Sequence, residues 1–368
     1  MKIIHVIGAR PNYMKVAPIY AALAEKPGVT QLLVHTGQHY SPEMSALFFD
    51  ALQMPQPDIN LEVGSGSHAV QTAKVMEAFE PVVEEFQPDV VLVVGDVNST
   101  IACAIVAKKL HVDVVHVEAG LRSLDMKMPE EVNRVLTDRI SDWLFTTEPS
   151  GTENLLAEGV PADKIKHVGN TMIDSLVRQK ERAAELNVLE EYGQVHGEYL
   201  LGTIHRPSNV DEEESLTEVV QTLLEAAERL PLLLPLHPRT QGNMEKCGVS
   251  DLIVGHPRVT VTGPLGYLEF LRCQLGARVI LTDSGGIQEE ASYLGVPCLT
   301  MRENTERPIT LDMGTNRLVG TSKSDIIRNL DEVMALKDQE APKIPLWDGL
   351  AGVRIADELC NIYQDGTS

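Results

Sequence analysis

Short apolar runs alternate with amphipathic stretches along the whole chain. In the first half the runs are Ile3 to Ile7, Gln31 to His35, Val90 to Val94, Val114 to Val117 and Trp143 to Thr146, rich in β-branched residues and short enough for strands. Helical periodicity fills the gaps, at Met14 to Glu25, Ser41 to Leu52, Ala69 to Phe86, Ser99 to Leu110 and Glu130 to Ile140. This β-α-β-α rhythm predicts a doubly wound parallel sheet. The second half repeats it, with strands at Tyr199 to Thr203, Leu232 to Leu236, Val259 to Val261, Val279 to Thr282 and Cys298 to Met301, and helices such as Ser215 to Glu228 and Gly286 to Leu294. An α/β protein of two Rossmann-like domains is expected. Residues 1–170 form the first, the helix-prone, charged segment 171–198 is the best linker, and 199–349 form the second.

Length and charge narrow the picture. A chain of 368 residues is long for a single core, which agrees with two domains. With 53 acidic against 31 basic residues the formal charge is −22, which argues against nonspecific binding to nucleic acid or to an anionic membrane surface. Any anionic ligand must find a local basic site. No apolar run approaches the ~18 residues of a membrane span, and the segment from Ile3 to Ile7 into Gly8-Ala9-Arg10-Pro11 is expected to be neither a signal peptide nor an anchor. Five widely spaced cysteines fit reduced thiols in the cytoplasm.

The strongest chemical signal is RVILTDSGGIQEE, Arg278 to Glu290, where a strand ends at Asp283-Ser284-Gly285-Gly286 and a helix follows. Glycines allow close backbone approach, and the helix offers unpaired N–H groups with the positive end of its dipole. A phosphate or diphosphate fits there, and Glu290 can accept from ribose hydroxyls; a ligand-free tight turn and a solvated glutamate are the bland alternatives. Gly8-Ala9-Arg10-Pro11 closes the first strand of one half and Ile204-His205-Arg206-Pro207 the first strand of the other, at carboxyl edges where open α/β sheets bind ligands. That match suggests a shared inter-domain cleft.

Carboxylates gather in the first half. Asp96 ends one strand and Glu118 the next, and Met128-Pro129-Glu130-Glu131 adds a third candidate at a helix start. Asp96 is also placed to cap a helix, and Glu130 and Glu131 to favour a helix dipole. Glu118, between Val117 and Ala119-Gly120, needs a partner or a chemical role. Clustered carboxylates near a diphosphate would bring proton transfer within reach. Arg10, Lys15, Arg206 and Arg307 can neutralise such a diphosphate, and His205 can bond or protonate a leaving phosphate. The histidines show no metal-binding spacing: His35 and His39 span a strand end and a turn. Gly64-Ser65-Gly66 lacks a third glycine, so no NAD site is inferred, and no cofactor is expected.

The segments GARPNYMK, TGQH, VGDVNST, HVEAGLRS, MPEEVNR, TIHRP, LHP, TDSGGIQEE and TERP, in this order across residues 8–308, resemble the non-hydrolysing UDP-N-acetylglucosamine 2-epimerases. The resemblance implies a GT-B arrangement of two Rossmann-like domains facing across a cleft, with a C-terminal helix at 350–368 completing the first domain, and a homodimer. By motif it assigns Asp96, Glu118, Glu130 and His205 to catalysis. It assigns Arg10, Lys15, Phe270, Ser284, Gly285, Gly286, Glu290 and Arg307 to binding the UDP-sugar, with Phe270 near the uracil. The implied reaction is reversible C2 epimerisation through elimination of UDP to 2-acetamidoglucal and re-addition. Relatives acting on UDP-diacetamido-uronic acids share the Met-Pro-Glu-Glu segment, so that substrate is an alternative, as is a hydrolysing epimerase releasing N-acetylmannosamine. Where many bacterial members carry glutamate, this chain has Ser208, and Ile309 follows Thr305-Glu306-Arg307-Pro308.

Overall fold

The computed structural model describes residues 1–37, 49, 52–336 and 340–363. The helix expected at Ser41 to Leu52, His39, and the end of the C-terminal segment lie largely or wholly outside the described residues. The chain divides into two compact units, residues 1–178 with 345–368, and residues 179–344. That division falls within the helix Thr171–Ala184.

The first unit is built on seven parallel strands: β1 (Lys2–Ile7), β2 (Thr30–His35), β3 (Ile59–Asn60), β4 (Val90–Val94), β5 (Asp113–Val117), β6 (Trp143–Thr146) and β7 (Ile165–His167). Their order is β3-β2-β1-β4-β5-β6-β7, so the direction of winding reverses between β1 and β4. The valines of β4 are all buried, as expected for a strand covered by helices on both faces. Phe79, Val82 and Val83 of the helix His68–Phe86 pack with Ile4, Val91 and Val93 on one face.

The helix Arg10–Ala24 begins with proline in its first turn, where the missing N–H costs nothing, but it also contains Pro18. An interior proline cannot bond the carbonyl four residues back. Ser175 takes that place, its Oγ donating to the Met14 carbonyl at 2.5 Å. The C-terminal helix Ala351–Tyr363 belongs to the same unit, and Asp174 caps it by accepting from the N–H groups of Ala351 (3.1 Å) and Gly352 (2.7 Å).

The second unit has six parallel strands: β8 (Leu200–Thr203), β9 (Leu232–Pro235), β10 (Val259–Thr262), β11 (Val279–Thr282), β12 (Cys298–Thr300) and β13 (Asn316–Leu318), in the order β10-β9-β8-β11-β12-β13. Leu200, Leu232, Leu281 and Leu299 join one core cluster, while Leu201, Leu233, Ile280 and Cys298 join another. Successive residues therefore serve opposite faces, which is the signature of a sheet wound on both sides. Both units are Rossmann-like, as the periodicity predicts. Three strands escape that periodicity: β3, β7 and β13 have two or three residues each, too few to show a period, and each lies at a sheet edge. Among the described residues, no helix is long and apolar enough to cross a membrane.

Candidate active site

In each unit the chemistry-bearing loops leave the two strands at the switch point, where diverging connections open a crevice at the carboxyl ends. In the first unit these are the loop after β1, which leads to Arg10 at the start of its helix, and Gly95-Asp96 after β4. Asn12 fastens the two together. Its Oδ1 accepts from the N–H groups of Gly8 (3.1 Å) and Ala9 (2.9 Å), and its Nδ2 donates to the Val94 carbonyl (3.2 Å).

Glu118, at the end of β5, has φ of +72°, a left-handed conformation that a glutamate adopts only when its surroundings enforce it. The enforcing contacts are visible. The N–H groups of Glu118 and Ala119 both donate to the Phe145 carbonyl, at 3.0 and 3.1 Å, and the side chain forms a buried ion pair with Lys15. Gly95 lies beside that pair with φ of +64°, and a Cβ there would stand 2.8 Å from Lys15 Nζ and 3.6 Å from Glu118 Oε2. Only glycine admits the pair.

Asp96 does not hold the cap position of the following helix, which is Val97. It is paired instead with Arg134, half-buried, and Arg134 also binds Glu131 at 2.6 Å. The two glutamates of the Met-Pro-Glu-Glu segment part company. Glu131 is buried and accepts from Ser123 N and Oγ (2.9 Å each) and from Leu124 N (3.0 Å), so it holds the loop. Glu130 is half-buried and makes no hydrogen bond or ion pair with the described residues, which leaves its carboxylate available. Lys15 lies on the helix Arg10–Ala24, Asp96 and Glu118 follow the neighbouring strands β4 and β5, and Glu130 stands in the first turn of the helix Pro129–Ile140, all in one unit.

In the second unit, His205 follows β8 and Ser284 follows β11, again on the switch-point strands. Between them Asp283 is fully buried. Its Oδ2 accepts from the N–H groups of His205 (3.0 Å) and Arg206 (2.9 Å) and from Asn209 Nδ2 (3.0 Å), while Oδ1 lies 3.0 Å from His205 Nδ1. Burial would raise the pKa of this carboxyl, but His205 and the two backbone donors outweigh it and hold it below the ordinary carboxylate range. His205 itself is about half exposed, with Asp283 fixing its ring.

Ser284 precedes the helix Gly285–Leu294, and a Cβ on Gly285 would stand 2.7 Å from Glu306 Oε1. Glu306 also binds Arg302 Nη2 at 2.9 Å and lies 3.6 Å from Arg206 Nη2. Arg307 is buried against Glu289, 2.9 Å from Nε to Oε1. Three guanidinium groups therefore approach a glycine-rich helix start, the setting in which phosphate oxygens find both charge and N–H donors. Burial, together with Arg206 and Arg307, lowers the pKa of Arg302 against the pull of Glu306. Glu290 is buried and accepts from Gln274 Nε2 at 2.6 Å. Phe270, on the helix Tyr267–Gly276, is partly buried against the core cluster that contains Tyr199 and Leu201.

Sequence reasoning passed over Asn12, Arg134, Asp283 as an anchor, and Arg302. Arg134 stands four residues after Glu130 and Arg302 five before Arg307, spacings that a search for cations facing the acids would have picked up. Of the expected residues, the structure gathers Lys15, Asp96 and Glu118 in one unit and His205, Ser284, Gly285 and Arg307 at the switch-point end of the other.

The comparisons agree with this anatomy. Residues 21–360 match the family model described as UDP-N-acetylglucosamine 2-epimerase. The chain is 43% identical over 360 residues to a UDP-N-acetylglucosamine 2-epimerase of Methanocaldococcus jannaschii, covering 96% of this chain and 98% of the relative. It is 39% identical over 366 residues to a UDP-2,3-diacetamido-2,3-dideoxy-D-glucuronate 2-epimerase of Pseudomonas aeruginosa, covering 98% and 100%. A crystal structure of the Methanocaldococcus jannaschii UDP-GlcNAc 2-epimerase with UDP-GlcNAc and UDP is similar at a TM-score of 0.92 and 42% identity, over 98% of this chain and 100% of that one. The fold class is accordingly GT-B, with two Rossmann-like domains. The chain belongs to the UDP-N-acetylglucosamine 2-epimerase family.

Proposed function

We propose that this protein interconverts UDP-N-acetylglucosamine and UDP-N-acetylmannosamine by inverting C2, without releasing the free sugar. The observation that carries the chemistry is the pairing of Glu118 with Lys15 and of Asp96 with Arg134 at the ends of neighbouring strands, with Glu130 four residues before Arg134 on the helix Pro129–Ile140. A base removes the C2 proton, and the C1–O bond to UDP breaks with its electron pair leaving on the diphosphate, which yields 2-acetamidoglucal and UDP. UDP then re-adds at C1 as a proton is delivered to the opposite face of C2. The C2 hydrogen is not adjacent to a carbonyl carbon, so departure of UDP runs ahead and places positive character on C1. Groups that stabilise the leaving diphosphate therefore carry much of the rate.

The residues divide accordingly. Asp96, Glu118 and Glu130 serve the two proton transfers, with Lys15 paired to Glu118 and Arg134 to Asp96. In the second unit His205, Arg206 and Arg307, with the Ser284-Gly285-Gly286 helix start, take the diphosphate; Glu290 takes ribose hydroxyls and Phe270 the uracil. By family resemblance Arg10 also binds the UDP-sugar. A cytoplasmic homodimer supplying a nucleotide sugar for polysaccharide synthesis extends this reading by family likeness.

Proton NMR with UDP-N-acetylglucosamine in D2O tests it. Deuterium at C2 in a mixture of gluco and manno nucleotide sugars is the expected result. Free N-acetylmannosamine with stoichiometric UDP would replace it by hydrolysis, and inertness toward this sugar with turnover of a diacetamido-uronic acid nucleotide would move the specificity. Glu118→Gln, Asp96→Asn and His205→Ala should each depress turnover far more than UDP binding. Near-normal turnover in all three would sink the residue assignment.

A further inference from the structure

Behind the proposed acids lies a buried pair for which the reaction, as described, has no use. His116, on β5, is 0% exposed, and Asp138, on the helix Pro129–Ile140, is 2% exposed. His116 Nε2 donates to the Gly95 carbonyl oxygen at 2.8 Å, and Nδ1 faces Asp138 Oδ1 at 2.6 Å. The other Asp138 oxygen accepts from the Gly120 N–H at 3.0 Å and lies 2.7 Å from Arg122 Nη1.

The places these bonds end are informative. Gly95 immediately precedes Asp96, while His116 and Gly120 bracket Glu118 two residues on either side. Asp138 rides on the helix that has Glu130 in its first turn and carries Arg134, the partner of Asp96. One pair of side chains thus ties together the three backbone segments that present the three acids. Two of those segments sit in left-handed backbone, at Gly95 (φ +64°), which glycine adopts freely, and at Glu118 (φ +72°), where a side chain persists in that conformation only if surrounding contacts over-determine it. A core needs no ionisable pair to fill this space, because apolar side chains of similar volume would pack there without desolvating charge.

We infer that His116, backed by Asp138, is a positioning residue for the proton-transfer site, fixing the Gly95 carbonyl and thereby the aim of Asp96 relative to Glu118. This rests on the epimerase reading above. Three variants at one position separate positioning from plain structure. His116→Phe fills the space and severs both links; His116→Gln extends an amide nitrogen to the Gly95 carbonyl; His116→Asn reaches Asp138 but is too short for Gly95.

The expected result is a kcat for His116→Phe about 100-fold below wild type, as for a misaimed catalytic group. KM and UDP affinity should stay within about twofold and His116→Gln should recover to within about fivefold of wild type. A folded His116→Phe with wild-type kcat, or a His116→Gln as poor as His116→Phe, overturns the inference. If His116→Phe does not fold, the other two decide: His116→Asn matching His116→Gln overturns it, and His116→Asn falling well below His116→Gln supports it. Wild-type protein in D2O separates the two levels, since failure to exchange C2 hydrogen defeats the functional reading itself, whereas exchange by His116→Phe at the wild-type rate defeats only the positioning role.

Discussion

Asp283→Asn asks whether the charge behind His205 matters or only its shape. Four donor groups converge on this buried carboxylate, three of them on Oδ2. An asparagine whose oxygen takes the Oδ2 position keeps those three as neutral hydrogen bonds, each weaker than its charge-assisted counterpart by about 1 kcal/mol. Its NH2 group then faces His205 Nδ1, which must accept where it had an anion to donate to. The imidazole loses its partner for positive charge. If His205 assists the departing diphosphate, about 1.5–2 kcal/mol of that assistance disappears, which is roughly ten- to thirtyfold in turnover.

Steady-state kcat, read from interconversion of the two nucleotide sugars, measures the effect, and calorimetry with UDP gives the binding change. The fall in kcat should exceed the fall in affinity, because the backbone of the His205-Arg206 turn keeps its acceptor. A kcat within twofold of wild type would refute the reasoning. Acid titration supplies an independent check. The Asp283 carboxyl is held low in the folded protein, so its stabilisation is present above the unfolded value of about 4 and is lost as pH falls through the lower folded value. The difference in thermal midpoint between wild type and Asp283→Asn should therefore shrink below about pH 4.

Gly95→Ala places a methyl group 2.8 Å from Lys15 Nζ in left-handed backbone, a strain of about 1–2 kcal/mol before Lys15 moves, and should lower kcat at least about tenfold with UDP affinity unchanged by calorimetry. Asp174, the cap of the C-terminal helix, has its pKa pushed up to about 6, chiefly by burial, against the pull of the Gly352 and Ala351 N–H groups. Its contribution to stability is full below about pH 4 and is lost as pH rises through 6, so Asp174→Asn, which keeps an acceptor without the charge, should gain on wild type in unfolding free energy over that window, by of order 2 kcal/mol, as read by denaturant titration at each pH. Assigning ribose hydroxyls to Glu290 predicts that Glu290→Ala weakens UDP about tenfold and 2′-deoxy-UDP less, by competition binding.

Much of this architecture was legible because its strands are buried on both faces. Val90 to Val94 and Val279 to Thr282 announce themselves as uninterrupted apolar runs, and the turns that follow carry the glycines and acids of the site. Edge strands such as Asn316–Leu318 were illegible, since three residues pairing along one side need no hydrophobic pattern. Within the site, Glu118 was readable as an anomaly: an acid ending a buried strand demands a partner, and Lys15 is that partner. The different fates of Glu130 and Glu131 were not readable. Adjacent glutamates at a helix start look alike in sequence, and only the fold turns Glu131 inward onto Ser123 and Arg134 while leaving Glu130 without a partner among the described residues. His116 was invisible for a related reason, because a histidine inside a valine-rich strand reads as a core residue until its two nitrogens are seen to end on Gly95 and Asp138.

A chain of net charge −22 that binds a diphosphate must separate local from global electrostatics. In the second unit this is done by spending acids on orienting cations. Glu289 holds Arg307, Glu306 holds Arg302 and reaches Arg206, and Asp283 holds His205 and the backbone of Arg206. Glu289, Glu306 and Asp283 are all buried, so their charge is committed to short contacts and is poorly placed to repel a ligand in solvent. The cations they hold lose little further conformational freedom on meeting phosphate, which favours the charge that develops as the C1–O bond breaks. The surface acids, by contrast, are screened beyond about 8 Å at physiological ionic strength and have little influence on the site. Neutralising exposed acids such as Glu213 and Glu214, on the second unit's surface, should therefore leave UDP affinity unchanged at that ionic strength, whereas Glu306→Gln, which releases Arg302 and Arg206 together, should change it. Equal effects from the surface and buried substitutions would mean that the site feels the net charge after all.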